Sequence, residues 1–236
     1  MSPRRWRLGR PQPTTPAQTF VGSAPPETGP AFFLSYARTP QSAGVLADPD
    51  SGVKQLYADL SNRVRQLLPL GAAQEAGFMD ARMEAGDLWH DELFHNLGAA
   101  RAFVALLSPP YLQRSVWCPM EWDYFARRVV QHQIDTTRSA RATAIIPVLW
   151  TPIGDAEPPI VAAVQRFIPP PVVTPERIQL YEQEGLLGML DVDPVAYRAV
   201  VWSLARQIQK TLATVSVGPV TDTSTDNLRR SFTDGA

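Results

Sequence analysis

A short apolar run in the middle of the chain, residues 102–107, constrains the fold more than any other feature. Its sequence, AFVALL, has no polar residue at either set of alternating positions, so a strand built from it is apolar on both faces. Such strands are typical of parallel sheets, in which crossover helices cover each side. The run therefore predicts the central strand of an α/β fold.

Strand-like and helix-like segments alternate along most of the chain. Short apolar runs that suit further strands occupy residues 31–36, 77–79, 144–150 and 178–181. Helical periodicity occupies residues 51–68, 88–99, 115–133, 158–167 and a last segment from Asp193-Pro194 onward. Because Pro147 lacks an N–H group, we expect its strand at a sheet edge or beside a bulge. The alternation predicts a doubly wound, mostly parallel sheet of about five strands.

The 23 prolines are concentrated at the start and late in the chain. Residues 1–29 are Pro-rich without periodicity, which predicts a disordered leader. Residues 30–213 form the predicted folded domain, with a Pro-rich insertion at about 154–193. Residues 214–236 are rich in Ser, Thr and Asp and are expected to be a disordered tail.

Charge and composition argue against several classes of partner. The formal net charge is −1, so no basic surface for nucleic acid is expected. No stretch approaches the roughly 20 apolar residues that span a bilayer, and the basic N-terminus lacks the apolar run of a signal peptide. The single cysteine, Cys118, allows neither an internal disulfide nor a multi-cysteine zinc site. We therefore expect a cytoplasmic protein without membrane or nucleic-acid partners.

Glu121 is the main candidate for a functional group. It follows the central strand and has large rings as near neighbours: Trp117, Trp122, Tyr124 and Phe125. Ligands of parallel α/β sheets collect outside the carboxyl ends of the strands. With Ser115 as N-cap, Glu121 is expected near a helix N-terminus, where the macrodipole favours the ionised carboxylate. The plain alternative is a solvated or helix-capping acid.

Five sequence blocks carry a resemblance to a known family. They are FLSYA at 33–37, FMD at 78–80, GDLW at 86–89, FVALLSP at 103–109 and SVWCxxEW at 115–122. In this order and spacing, over about residues 31–213, the chain resembles a TIR (Toll/interleukin-1 receptor) domain. Within the family it looks most like bacterial members of the actinobacterial FxsC type, because of the PVLW strand and the Pro-rich segment before the last helix.

The resemblance implies a flavodoxin-like fold and two kinds of function. Many TIR domains assemble with one another through the loop after the second strand, which here contains Asp80, Arg82 and Gly86. A subset cleaves NAD at the nicotinamide–ribose bond with a glutamate that aligns with Glu121. NAD would then be the substrate, with no metal and no separate cofactor. The alternative is a non-catalytic module that binds other TIR domains.

The family position also implies a set of substrate-binding residues. They are Phe33, Ser35, Tyr36 and Arg38 at the end of the first strand, and Trp117. A ring could stack on nicotinamide, Arg38 could meet the pyrophosphate, and Arg82 could reach the nucleotide of a neighbouring protomer. Each has a plain alternative, since Tyr36 could be a packing residue and Arg38 could face water. Trp117 and Trp122 do not share a helix face, so one is expected in the core, and we favour Trp122.

Other chemistries find little support. Cys118 has no recognisable histidine partner and is expected to be a buried or half-buried thiol. The histidines lack metal-ligand spacing, and no phosphate-binding glycine loop is present. The acids of a phosphoacceptor site are missing, since Ser35 and Ser108 occupy their places at the strand ends.

Overall fold

The computed structural model describes residues 29–41, 44, 46–71, 74–80, 87–133, 142–154, 157–171, 173–220 and 224–233. Nearly all of the predicted leader, and the loop residues Arg82 and Gly86, lie outside these ranges. Within them, none of the helices combines the length and the apolar character needed to cross a membrane.

A four-stranded parallel sheet lies between two groups of helices. In chain order the elements are β1 (Phe32–Ser35), α1 (Ser51–Leu67), β2 (Gly77–Met79), α2 (Asp87–Ala99), β3 (Phe103–Leu107), α3 (Pro109–Gln113), α4 (Trp117–Ala126), β4 (Val130–His132), β5 (Ile145–Leu149), α5 (Pro159–Ala162), α6 (Pro175–Val192), α7 (Pro194–Thr214) and β6 (Val215–Val217). The strand order is β2-β1-β3-β5, and every pairing is parallel. The predicted α/β class is confirmed, with four strands in this sheet.

The central and edge strands lie where the sequence predicts them. All five residues of β3 are buried, as an apolar run between two helical layers requires. Strand β5 lies at the edge, with Pro147 beside Ala105 in register. The carbonyl of Pro147 accepts a hydrogen bond from the N–H of Phe167 at 2.8 Å. The predicted edge position is therefore confirmed.

The two helical groups follow from amphipathic patterns. On one side α1 and α7 pack together, and α6 contacts both of them and β5. The apolar positions of α1 that the periodicity predicts are buried: Val53, Leu56, Leu60 and Val64. Helix α7 begins at Pro194 because Asp193 accepts hydrogen bonds from the N–H groups of Val195 and Ala196. On the other side, α3 and α4 contact β3, and α2 packs on α4.

The strand predicted at residues 178–181 is wrong, because this segment is part of α6. Tyr181 is buried beside β5, and its hydroxyl accepts a hydrogen bond from the N–H of Leu149 at 2.8 Å. Gly185 interrupts α6 with a φ of 67°, and a Cβ there would lie 2.5 Å from the carbonyl oxygen of Trp150. Only glycine permits this turn and this close approach. Packing against β5 thus outweighs the local strand pattern.

The helix predicted over residues 115–133 is too long, since α4 ends at Ala126. Just beyond it, Arg128 is buried and donates hydrogen bonds to the carbonyls of Leu97, Ala100 and Gly218 at 3.1, 2.5 and 2.9 Å. The guanidinium thereby caps the C-terminal end of α2. The helix predicted at 158–167 is likewise shorter, because α5 covers only Pro159–Ala162.

The prediction that residues 214–236 are unstructured is wrong for their described part. Thr214 completes α7, and β6 pairs antiparallel with β4 in a separate two-stranded sheet. Residues 224–233, which we call the C-terminal strap, pack on α3 and α4. The N–H of Arg229 donates to the Asp123 carboxylate at 3.0 Å.

Phe232 anchors the strap in the aromatic core. Its ring stacks on Tyr111 at 5.6 Å between centroids and meets Trp122 edge-on at 5.8 Å. Only 2% of Phe232 is exposed. Leu228 and Phe232 are the two large apolar residues of the strap, and two residues in a polar segment are too few to establish a periodicity, so the sequence pattern does not reveal this contact.

Candidate active site

Glu121 lies at the carboxyl edge of the sheet, where β1 and β3 end. The chain leaves β1 toward β2 on one side, while β3 lies on the other side. The crevice between β1 and β3 is therefore the topological switch point, where open α/β sheets bind ligands. Ser35 ends β1, α3 and α4 follow β3, and Glu121 of α4 reaches Ser35.

Three side chains from different elements meet at this point. The Ser35 hydroxyl donates to Oε2 of Glu121 at 2.5 Å and lies 3.0 Å from the hydroxyl oxygen of Tyr111. All three residues are buried, with exposed fractions of 1% for Ser35, 6% for Glu121 and 0% for Tyr111. We call this group the Glu121 cluster.

Burial governs the ionisation of Glu121. It raises the pKa of the carboxyl from its ordinary value of 4.5 to about 8. The hydrogen bond from Ser35 and the charge of Arg38 oppose this rise in pKa, and the charge of Asp80 adds to it. The expected ionised state does not hold, because Glu121 is the fifth residue of α4 and the macrodipole acts mainly within the first turn. At neutral pH the carboxyl is mostly protonated.

The side chain that stabilises the start of α4 belongs to the residue before the N-cap position. Val116 occupies the N-cap position, while the Ser115 hydroxyl accepts a hydrogen bond from the N–H of Cys118 at 3.1 Å. Pro119 lies in the first turn, where its missing N–H costs little. This local structure sets the direction in which α4 carries Glu121 under the end of β1.

Arg38, Tyr36 and Asp80 form one hydrogen-bonded group beside the cluster. Arg38 pairs with the Asp80 carboxylate at 2.5 Å, and the Tyr36 hydroxyl donates to the Asp80 carbonyl at 3.1 Å. Burial is the main cause that raises the pKa of Tyr36 to about 12. The structure thus joins two predicted substrate-binding residues to Asp80, the first residue of the predicted self-association loop. The side chain of Arg38 is 37% exposed, so it remains accessible to water while it is paired.

Phe33 is a correction to the predicted substrate-binding set. Its exposed fraction is 0%, and its ring stacks between Phe78 at 5.7 Å and Phe103 at 5.8 Å. Phe33 faces the same side of β1 as Ser35 but lies two residues further from the carboxyl edge. Its ring therefore belongs to the core beneath the cluster and cannot stack on a ligand.

The two tryptophans of α4 divide as the sequence predicts. Trp122 is 1% exposed and meets Phe103 edge-on at 6.1 Å. Trp117 is 40% exposed and lies one turn before Glu121, with the His90 ring 6.0 Å away. Trp117 therefore keeps an accessible face at the start of α4, as a ligand-binding ring requires.

Cys118 lacks both the exposure and the lowered pKa of a nucleophilic thiol. The thiol is 1% exposed, and burial together with the nearby Glu121 raises its pKa well above the ordinary value, so that thiolate is scarce. The predicted buried thiol is confirmed. Across the described ranges no three His, Cys, Asp or Glu side chains gather as metal ligands.

Tyr111 is the member of the cluster that sequence reasoning missed. The signal lies in the block Ser108-Pro109-Pro110, an N-cap followed by prolines at the first helical positions. The Ser108 hydroxyl accepts a hydrogen bond from the N–H of Tyr111 at 3.2 Å. A helix that starts directly after β3 places its first turn at the carboxyl edge, so Tyr111 could have been named as a neighbour of Glu121.

Comparison with known proteins agrees with this arrangement. A family model described as "TIR domain" matches residues 32–169, which run from β1 to beyond α5 and include the whole Glu121 cluster. A search of curated proteins and a search of solved structures each found no match. The family match covers more than half of the chain, and the protein therefore belongs to the TIR-domain family.

Proposed function

We propose that this TIR-domain protein cleaves NAD at the nicotinamide–ribose bond when it is self-assembled, with Glu121 as the catalytic carboxylate. The observation that carries the proposal is a buried acid, Glu121, at the topological switch point of a TIR fold. It accepts a hydrogen bond from Ser35, the last residue of β1. Acids with strongly perturbed pKa values that lie in such crevices are candidates for catalysis.

The chemistry requires little more than one carboxylate. The bond between ribose C1′ and the pyridinium nitrogen breaks, and its electron pair neutralises the departing nicotinamide. An ionised Glu121 stabilises the oxocarbenium-like transition state. Water then attacks C1′ and releases a proton, or an adenine nitrogen attacks in its place and closes a cyclic product.

A raised pKa for Glu121 is compatible with this role. A cationic pyridinium placed beside the carboxyl favours its ionised form and lowers its pKa. Substrate binding therefore generates the catalytic carboxylate, while the free site stays mostly neutral. The accessible face of Trp117 would contact the nucleotide, and Arg38 would exchange Asp80 for the pyrophosphate.

The proposal extends to setting and relatives. NAD is the substrate, and no metal or further cofactor takes part. The protein acts in the reducing cytoplasm, where its one buried thiol stays reduced. Among TIR proteins we place it with the bacterial members of the FxsC type, on the strength of the PVLW strand and the Pro-rich segment before α7.

A non-catalytic signalling module is the second candidate. TIR domains interact with one another in signalling. Here the Arg38–Asp80 ion pair ties the start of the predicted self-association loop to the end of β1, while Glu121 is only 6% exposed. A buried Glu121, with Asp80 held at the end of β1, favours binding without turnover.

NAD consumption separates the two candidates. We would measure it with purified protein at low and high concentration, with a crowding agent, for the wild type, Glu121→Gln and the exposed-acid control Glu182→Gln. NAD loss in the wild type and the control but not in Glu121→Gln supports catalysis. Equal rates in all three refute the role of Glu121.

Assembly is measured in the same samples. Light scattering across a concentration series is compared for the wild type and Arg82→Glu, which reverses a charge in the predicted loop. Loss of association in the variant, with no NAD loss in assembled wild type, favours the signalling module. A wild type that is monomeric at all concentrations contradicts self-assembly.

A further inference from the structure

Tyr111 is held in place from several directions, although no catalytic role is proposed for it above. Its N–H donates a hydrogen bond to the Ser108 hydroxyl at 3.2 Å. Its ring stacks on that of Phe232, with 5.6 Å between the centroids and an interplanar angle of 20°. Its hydroxyl lies 3.0 Å from the hydroxyl oxygen of Ser35. The position of the phenol oxygen is therefore set by α3, by the C-terminal strap and by β1 together.

The direction of the Tyr111–Ser35 hydrogen bond follows from counting protons. A serine hydroxyl has one proton to donate and accepts with its lone pairs. An ionised Glu121 can only accept, so the single Ser35 proton then goes to Oε2 at 2.5 Å and the Tyr111 hydroxyl donates to Ser35. Burial raises the pKa of Tyr111 well above its ordinary value, so the phenol remains a donor across the physiological range.

The Tyr111 hydroxyl is not needed for packing. A phenylalanine ring would stack on Phe232 equally well, whereas burying a hydroxyl costs free energy unless it is hydrogen-bonded. The bond to Ser35 offsets that cost. It also gives the Ser35 hydroxyl a fixed donor on one side, which leaves its own proton directed at the carboxyl.

We propose that Tyr111 is a positioning residue for Glu121, which acts through Ser35 by holding the serine proton on Oε2 of the carboxyl. Chains of hydrogen bonds polarise one another, so a Ser35 hydroxyl that accepts from Tyr111 donates more strongly to Glu121. The relay favours the carboxylate and fixes its orientation. Its consequence for turnover rests on the function proposed above, but its effect on the ionisation of Glu121 does not.

The test is the pKa of the Glu121 carboxyl, measured by ¹³C NMR titration of the intact chain. Ser35→Ala removes the donor to the carboxyl and raises its pKa by about 1 to 2, the equivalent of one hydrogen bond to a charged group. Tyr111→Phe keeps the ring and raises the pKa by a smaller amount. In the double variant the pKa equals that of Ser35→Ala alone, because the relay passes through Ser35.

Tyr181→Phe is the matched control. It removes a buried phenol hydroxyl that bonds to the N–H of Leu149, away from the cluster. We expect Tyr181→Phe to have a lower free energy of unfolding than the wild type but the same pKa for Glu121. If Ser35→Ala does not fold, Ser35→Gly replaces it.

Two outcomes overturn the relay. One is an unchanged pKa of Glu121 in Tyr111→Phe, and the other is a double variant in which the two effects simply add. Failure of the proposed function looks different, because wild-type protein that consumes no NAD still gives a full set of pKa values. If it is active, the pH at which kcat/KM is half-maximal moves upward in Tyr111→Phe and stays in place in Tyr181→Phe.

Discussion

Replacing Glu121 by Gln should change how the stability of the protein depends on pH. The folded protein holds the carboxyl proton up to a pH of about 8, whereas the unfolded chain releases it near the ordinary pKa of 4.5. Between these values the folded state binds more protons, so the free energy of unfolding falls as pH rises. The stabilising effect is fully present below pH 4.5 and is lost as pH rises through about 8.

The size of the effect follows from the two pKa values. Each unit of difference corresponds to about 1.4 kcal/mol, so the full loss approaches about 5 kcal/mol. Between pH 5 and pH 8.5 the wild type should lose about 4 kcal/mol through this group. Glu121→Gln has a neutral amide of similar shape and lacks the proton, so it should not show this loss.

Urea unfolding at several pH values, followed by tryptophan fluorescence and circular dichroism, measures the difference. We expect the free energy of unfolding of the variant, relative to that of the wild type, to rise by about 1.4 kcal/mol per pH unit between pH 5 and 8. Taking the difference cancels the other titrating groups that the two proteins share. A difference that stays constant over this range would refute the neutral state of Glu121 in the folded protein.

Three further predictions concern the strap, the buried cation and turnover. Phe232→Ala should lower the free energy of unfolding by about 3 kcal/mol in the same urea titration, because a buried ring is lost from the aromatic core. Thr233→Ala, at the exposed neighbouring position, should change it by less than about 0.5 kcal/mol. Equally small effects in the two variants would contradict the packing of the strap on the core. Arg128→Met should lower the free energy of unfolding by about 3 kcal/mol, because it leaves buried carbonyls unsatisfied, whereas Arg127→Met, at a half-exposed position, should lower it by at most about 1 kcal/mol. Thermal unfolding measures both changes, and a larger loss in Arg127→Met than in Arg128→Met would contradict the prediction. If the protein cleaves NAD, kcat/KM should rise with pH through about 8, as free Glu121 ionises, while kcat should level off at lower pH because the bound pyridinium lowers the pKa; a rate that falls with pH over this range would contradict a catalytic carboxylate.

Local pattern was sufficient for the framework of the fold. The apolar run at 102–107 predicted a buried central strand, and Pro147 predicted an edge, because burial on both faces and a missing N–H are properties of the residues themselves. The Asp193-Pro194 pair likewise predicted the start of α7. That Glu121 lies beside the end of β1 was implied by the family resemblance.

Contacts between distant segments decided what local pattern could not. Tyr181 lies in a helix because its hydroxyl accepts a hydrogen bond from β5 and its ring packs against Phe167. Phe232 holds a polar tail on the core, and Phe33 is covered by neighbours from other strands. None of these contacts leaves a period of 2 or 3.6 in the sequence.

The ionisation of Glu121 shows the division most clearly. The sequence by itself determined that an acid follows β3 among large rings in a TIR-type segment, and a helix start alone predicts an ionised carboxylate. Only the tertiary structure buried that acid beneath β1 with Ser35 and Tyr111, which raises its pKa to about 8. The physical reason is that the free energy of a charge depends on the water and dipoles around it, and residues far apart in the chain supply or remove these.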